Sequence, residues 1–257
     1  MKKDARLDQI VKLCGREGQV TIAELAGRMQ VSEITIRRDL KLLENLRLIK
    51  KTGSGYAAYD SAHVRDVADY HIRSAQRSHA ENKQYIGRKA VSLLRAGDTV
   101  IFDSGSTLLH MVRNLPEHPQ VRAVCYGLEV AGELRKKRVQ QLIVLGGVYH
   151  EEMDMFEGLA DMDQIQSIRA QKAFISAFGV HRQAGLTSGS FFASSIRRQI
   201  IASAEEVVLL ADSSKFGVLE CAHFAGLDAP HLYITDGGIS REYRELLERM
   251  HKTFLIV

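Results

Sequence analysis

Two short segments of this 257-residue chain carry residue types that grip an anion. Asp103-Ser104-Gly105-Ser106-Thr107 offers hydroxyls, backbone amides and a carboxylate, and Asp212-Ser213-Ser214-Lys215 adds hydroxyls and an ammonium. Amides at a helix start, with a lysine converging on the same point, make a phosphate pocket. Ordinary turns between strand and helix use the same Asp, Ser and Gly, so either loop alone says little. Two such loops with hydroxyls and opposite charges point to a pocket. Tyr126-Gly127, Gly146-Gly147 and Gly179 each follow a further predicted strand. The candidate effector set is therefore Asp103, Ser104, Gly105, Ser106, Thr107, Tyr126, Gly146, Gly147, Gly179 and Lys215. The chain has no G-x-S-x-G elbow, no Walker-type lysine loop, no H-E-x-x-H and no Ser–His–Asp spacing, so neither catalytic residues nor a cofactor are expected. His150, Glu151, Glu152 and Asp154 read as a solvated loop, and no metal site is expected.

The elements that must hold these loops alternate. Helices are predicted over 83–94, 108–115, 128–137 and 194–204, and strands over 99–102, 121–125, 141–145, 172–177, 207–211 and 233–235, with a last helix and short strand at the C-terminus. Strands alternating with helices predict a parallel α/β sheet with helices on both faces. In such sheets ligands bind at the carboxyl ends of the strands, where these loops fall.

Residues 20–49, VTIAELAGRMQVSEITIRRDLKLLENLRLI, carry a second chemistry. Thr21 and Glu24 stand at capping-box spacing, and Ile22, Leu25, Ala26 and Met29 make one apolar face. Val31 plugs the turn and Ser32 caps the next helix. Ile36, Leu40 and Leu43 point inward. Ile34, Arg38, Lys41 and Asn45 take the opposite face, with Thr35 and Arg37 on its flanks. Such a helix fits the major groove of DNA, where Thr or Ile meets a thymine methyl and Arg meets guanine or phosphate. Lys50 to Tyr59 reads as a basic β-hairpin, a wing for the phosphate backbone, with Gly53 and Gly55 supplying positive φ angles at its turn. A first helix near 4–15 adds Leu7, Ile10, Val11 and Cys14 to the small core. The candidate DNA-binding set is Ser32, Ile34, Thr35, Arg37, Arg38, Lys41, Lys50 and Lys51.

Charge follows the same division. Residues 1–60 hold 12 Lys and Arg against 8 Asp and Glu, while the whole chain holds 35 against 31. The remaining residues balance at 23 of each, so the positive excess lies on the segment that would meet phosphate. The three cysteines (Cys14, Cys125, Cys221) lack disulfide or zinc spacing and fit a reducing cytoplasm. The N-terminus lacks the apolar core of a signal peptide, and no run approaches a membrane span. The expected organisation is a DNA-binding domain over 1–59, a polar and partly helical linker over 60–82, and an α/β effector domain over 83–257.

The segment Ser32 to Leu40 resembles the S-x-x-T-I-R-R-D-L recognition helix of the DeoR-type bacterial transcriptional repressors. Asp103 to Thr107 and Asp212-Ser213-Ser214-Lys215-Phe216-Gly217 are similar to that family's D-x-G-[ST]-T and D-S-S-K-F-G motifs, with Gly146-Gly147 and Gly179 between them in order. The resemblance covers nearly the whole chain. It implies a winged helix-turn-helix joined to a Rossmann-like sensor domain resembling sugar-phosphate isomerases. It also implies double-stranded operator DNA as one partner, a phosphorylated sugar as effector and a homo-oligomer, with no membrane. The alternative is a sugar-phosphate isomerase or transferase that also binds DNA. Three departures stand out: the wing reads Lys51-Thr52-Gly53-Ser54-Gly55, Cys125-Tyr126-Gly127 replaces the usual T-N, and no carboxylate lies between Gly185 and Arg198 to act as a general base.

Overall fold

The structure is a computed structural model that describes residues 3–46, 48–58, 72–158 and 163–257. In chain order the first elements are α1 (Lys3–Arg16), α2 (Ile22–Met29), α3 (Glu33–Asn45), β1 (Ile49–Lys51), β2 (Tyr56–Ala58), α4 (Ile72–Arg77) and α5 (Ala80–Val91). Then come β3 (Thr99–Phe102), α6 (Ser106–Arg113), β4 (Arg122–Cys125), α7 (Leu128–Lys136), β5 (Gln141–Val144), β6 (Val148–His150), β7 (Met155–Glu157) and α8 (Asp163–Gln166). The last are β8 (Ala170–Ile175), β9 (Gly179–His181), β10 (Gly185–Ser188), α9 (Phe191–Ser203), β11 (Ala204–Leu210), β12 (Ala222–Ala225), β13 (Leu232–Thr235), α10 (Arg241–Arg249) and β14 (Thr253–Ile256).

Backbone contacts divide the chain into two units, and both are discontinuous in sequence. The larger unit holds a seven-stranded sheet of order β14-β13-β11-β8-β3-β4-β5, parallel throughout. Its inner strands are apolar and buried toward their carboxyl ends, as a sheet covered on both faces requires. Phe102 and Phe174 stack at 6.2 Å inside it. The chain runs outward from β3 to β4 and β5, then resumes on the other side of β3 with β8, β11, β13 and β14. The β3/β8 junction is therefore the switch point of the sheet.

The smaller unit joins α1, α2, α3, β1 and β2 with residues 178–195 and 217–227. Its core unites Leu7, Ile10, Leu25, Ile36, Leu40 and Leu43 with Ala184, Phe191, Leu219, Cys221 and Ala222. The antiparallel sheet β12-β10-β9 supplies the latter group's setting. Asp8 of α1 accepts a hydrogen bond from the Phe191 amide at 2.8 Å.

Two expectations need correction. Gly179 does not close a strand; it opens β9 and pairs with Thr187 of β10. Residues 148–157 form the β6–β7 hairpin, with Asp154 buried at its turn, where a solvated loop was expected. Within the segment expected as a partly helical linker, residues 72–77 form α4 and α5 begins at Ala80; residues 60–71 lie outside the described ones. Among the described residues no helix is long and apolar enough to cross a membrane.

Candidate functional site

The recognition-type helix is built locally. Thr21 and Glu24 form both halves of a capping box on α2. Ser32 Oγ accepts the Thr35 amide at the start of α3 and also meets Thr35 Oγ1 at 3.0 Å. Ile36, Leu40 and Leu43 are fully buried. The opposite face leaves Ile34, Arg38 and Lys41 in solvent, with Ile34 74% exposed. Arg37 is also exposed and reaches Glu33 at 3.2 Å, an i,i+4 pair of the kind worth a few tenths of a kcal/mol. Lys50 and Lys51 are both exposed on β1.

Sequence reasoning missed the role of Asp39. It lies beside Arg38 in the chain but points inward, 1% exposed, and accepts from Arg6 Nε at 2.6 Å. This pair ties α1 to α3. The wing glycines also differ from expectation, because neither Gly53 nor Gly55 has a positive φ. Gly55 is required for space: a Cβ there would stand 2.6 Å from the Val20 carbonyl oxygen. At that point Val20 and Tyr56 exchange two backbone hydrogen bonds at 2.9 Å.

At the switch point of the sheet, Asp103 follows β3 and Ser176 follows β8. Asp103 Oδ2 accepts from the Ser176 amide at 2.8 Å, from Ser176 Oγ at 3.0 Å and from Arg197 Nε at 2.9 Å. Its Oδ1 accepts from the Ser104 amide and from the Tyr126 hydroxyl. Asp103, Tyr126 and Arg197 are all within 1% of complete burial. Burial, then the neighbouring Asp103 charge, pushes the Tyr126 phenol well up, so it stays a neutral donor. Asp103 and Tyr126 thus brace the loop that carries Ser104, Gly105, Ser106 and Thr107. Gly105 has φ +146°, and a Cβ would lie 2.7 Å from Ser176 Oγ. Arg197 and Ser176 were not legible as partners, since 94 and 73 residues separate them from Asp103.

The helix beginning at Ser106 has no side-chain cap on its N-terminus. Its first turn follows the carboxyl end of β3, where the helix dipole favours an anion. The N-terminus of α7 differs: Asp154, from the β6–β7 turn, accepts the Glu129 amide at 2.9 Å and occupies it.

A cationic group lies nearby in the same unit. Lys83 of α5 is 2% exposed. Its ammonium donates to the Ala75 and Ser78 carbonyls at 2.6 and 2.7 Å and stands 3.9 Å from Asp212 Oδ2. Burial pushes the Lys83 ammonium down to about 8; Asp212 opposes that shift and the charge of Lys215 adds to it. Lys83 and Lys215 therefore sense each other across the Asp212–Lys215 turn. Asp212 Oδ1 accepts from Ser214, but Oδ2 is buried and receives no hydrogen bond among the described residues. Asp236 holds the turn by accepting the Ser213 and Gly238 amides at 2.6 and 3.0 Å. Burial raises that carboxyl, yet these amides outweigh it and hold it below its ordinary value.

The remaining glycines of the expected set do structural work. A Cβ on Gly147 would lie 1.8 Å from the Glu157 carbonyl oxygen, across the hairpin, whereas Gly146 has open space. A Cβ on Gly179 would meet the Val218 carbonyl oxygen at 2.3 Å.

Comparison with known proteins gives matches in both parts of the chain. Residues 6–62 match the DeoR-like helix-turn-helix domain and residues 78–237 the DeoR C terminal sensor domain. The HTH-type transcriptional regulator FruR of Bacillus subtilis is 31% identical over 90% of this chain and 88% of its own. A lactose phosphotransferase system repressor of Lactococcus lactis is 30% identical over 95% of both chains. The regulator GolR of Listeria innocua is 29% identical over 92% of this chain and 91% of its own. Among solved structures, ribose 5-phosphate isomerase A of Methanocaldococcus jannaschii aligns at 20% identity with a TM-score of 0.41, over 54% of this chain and 55% of its own.

Proposed function

Since this chain belongs to the DeoR family of transcriptional repressors, we propose that it holds an operator through α3 and the wing and releases it when a phosphorylated sugar binds the sensor unit. One observation carries the effector half of this reading. An uncapped helix N-terminus follows β3, and two lysines with an unsatisfied buried carboxylate oxygen cluster at the turn after β11, both at carboxyl ends of strands in the same parallel sheet.

In this reading the α6 amides with Ser106 and Thr107 take the phosphate oxygens, and Lys215 and Lys83 balance its charge. The orphan oxygen of Asp212 accepts from a sugar hydroxyl. A buried acceptor left unmade costs about 1–3 kcal/mol, so a ligand that satisfies it is favoured by that margin. Asp103 and Tyr126 position the loop and do not touch the ligand. Ile34, Thr35, Arg37, Arg38 and Lys41 read the major groove, with Ser32 at the helix start and Lys50 and Lys51 on the backbone. A coupling of about 3 kcal/mol between sites would change operator affinity over a hundredfold. Two relatives named as lactose phosphotransferase system repressors support a sugar-linked operon.

The reading is one of sensing, not turnover: the carboxylate at the switch point is already engaged by Arg197. A thermal-shift screen of sugar phosphates against the matching free sugars tests it. Ligand at a hundred times its Kd adds about 2.7 kcal/mol of stability. A selective rise with one phosphate ester is expected, and steady conversion of that ester to another would replace this reading with an enzymatic one.

A further inference from the structure

We propose that Ile34 fixes one base pair of the operator as T·A, by packing its side chain on the thymine 5-methyl group in the major groove. The inference rests on the operator-binding reading and deepens it, from a helix that enters DNA to the base that one of its side chains selects.

The far side of α3 sets the direction of Ile34. Ile36, Leu40 and Leu43 are fully buried there, and Asp39 is held inward by Arg6 at 2.6 Å. A helix turns about 100° per residue, so Ile34 stands about 200° from Ile36 and faces away from that core. It is 74% exposed, against 48% for Leu128, the next most exposed large apolar side chain among the described residues. It is also the second residue of α3. The first turn of a recognition helix is the part that reaches base edges.

The polar side chains around it engage one another. Thr35, the other residue that could offer a methyl, is partly buried, and its Oγ1 meets Ser32 Oγ at 3.0 Å. Ser32 Oγ also accepts the Thr35 amide. Glu33 accepts from Arg37 at 3.2 Å. These contacts shape the helix start and leave Ile34 as its outward apolar tip. Arg37, Arg38 and Lys41 are exposed on the turns that follow. An apolar tip beside three cations fits a groove walled by phosphates, whereas an apolar protein surface laid over it would bury those charges.

Base chemistry then selects the occupant. Every base edge in the major groove presents hydrogen-bonding groups, and only thymine adds a methyl. Against guanine, adenine or cytosine, Ile34 would displace water from N7, O6 or an amino group and return no hydrogen bond. Against thymine it covers a methyl group and leaves the polar edge free.

The test begins with selection of duplexes from a randomised pool by the full chain, with no sugar phosphate present. Wild type should enrich a site containing a T·A pair that Ile34→Ala no longer requires. Deoxyuridine in place of that thymine removes only the methyl. It should weaken wild-type binding about fourfold, the factor that burial of one such group gives, and leave Ile34→Ala binding unchanged. At the same position 5-methylcytosine should bind better than cytosine by a similar factor, again for wild type alone. Ile34 is exposed, so Ile34→Ala should melt with the wild type. A selected site in which deoxyuridine at no thymine weakens wild type, or weakens Ile34→Ala equally, overturns this inference and leaves the operator reading standing. Equal binding of cytosine and 5-methylcytosine by wild type does the same. A pool from which wild type enriches no sequence overturns both.

Discussion

Arg197 and Asp103, 94 residues apart, form a buried ion pair at 2.9 Å at the point where the parallel sheet reverses its strand order. The side chains are 1% and 0% exposed. Neither charge has solvent to fall back on, and Ser176 and Tyr126 complete the bonding of the carboxylate. Removing one partner of such a pair strands the other, at a cost of about 3–5 kcal/mol. Asp103→Ala and Arg197→Met should each lower the unfolding free energy by that amount, read as a lower urea midpoint with little change in slope. If either variant is as stable as wild type, the pair does not brace this loop.

Arg38 and Asp39 are neighbours with opposite tasks. Arg38 is exposed, so Arg38→Ala should change stability by less than about 0.5 kcal/mol and abolish operator binding while leaving sugar-phosphate binding intact. Asp39 is buried against Arg6, so Asp39→Ala should cost about 3 kcal/mol. Chemical denaturation beside an operator-binding assay separates the two. Loss of both activities on a folded Arg38→Ala protein would contradict the assignment of α3.

Lys83 gives a pH signature. Its folded pKa is about 8 against an ordinary 10.5. Below about 8 both states carry the proton, and the burial penalty is fully present. Between about 8 and 10.5 the unfolded chain holds the proton and the folded one does not, so this group's contribution to stability rises with pH. Buried thiols act in the opposite sense: burial raises Cys125 to about 12, so stability falls as the unfolded thiol ionises. The difference between wild type and Lys83→Met isolates the lysine and should slope upward across that window. A phosphate ester favours the ammonium, so wild-type affinity for it should fall as pH rises past 8, and Lys83→Met should lose that dependence. A flat difference curve would show an unperturbed lysine.

The wing glycines separate space from flexibility. Gly53 has no neighbour within 4 Å of a built Cβ, so Gly53→Ala should be neutral or slightly stabilising. Gly55→Ala meets the Val20 carbonyl and should cost about 1–3 kcal/mol. Equal melting temperatures for the two variants would refute the close approach.

The sequence exposed what depends on local periodicity. Thr21 and Ser32 mark their helices because a cap and its amide lie within three residues. The parallel strands were visible because their carboxyl halves, buried on both faces, read as short apolar runs, Val-Ile-Phe at 100–102 and Ala-Phe-Ile at 173–175. The β9, β10 and β12 strands were missed because each is only three or four residues long and their partners lie far along the chain. The division into units was missed for the same reason: residues 178–195 and 217–227 leave the sheet to join the N-terminal helices. At the candidate site, Asp103 was found by its motif and given a ligand's contact. Its buried partners Arg197 and Ser176, and the pairing of Lys83 with Asp212, are set by strand order, which no local pattern encodes.

The central claim is that a phosphorylated sugar bound near Lys215 loosens the grip of α3 on DNA. Fluorescence anisotropy of a labelled promoter fragment, titrated with sugar phosphates and with the free sugars, tests it most directly. The account predicts that one phosphate ester weakens wild-type binding about a hundredfold, at a coupling near 3 kcal/mol. The free sugar should have no effect, and Lys215→Ala should bind DNA normally but respond weakly. An equal response to the free sugar, or an unchanged response in Lys215→Ala, would contradict it.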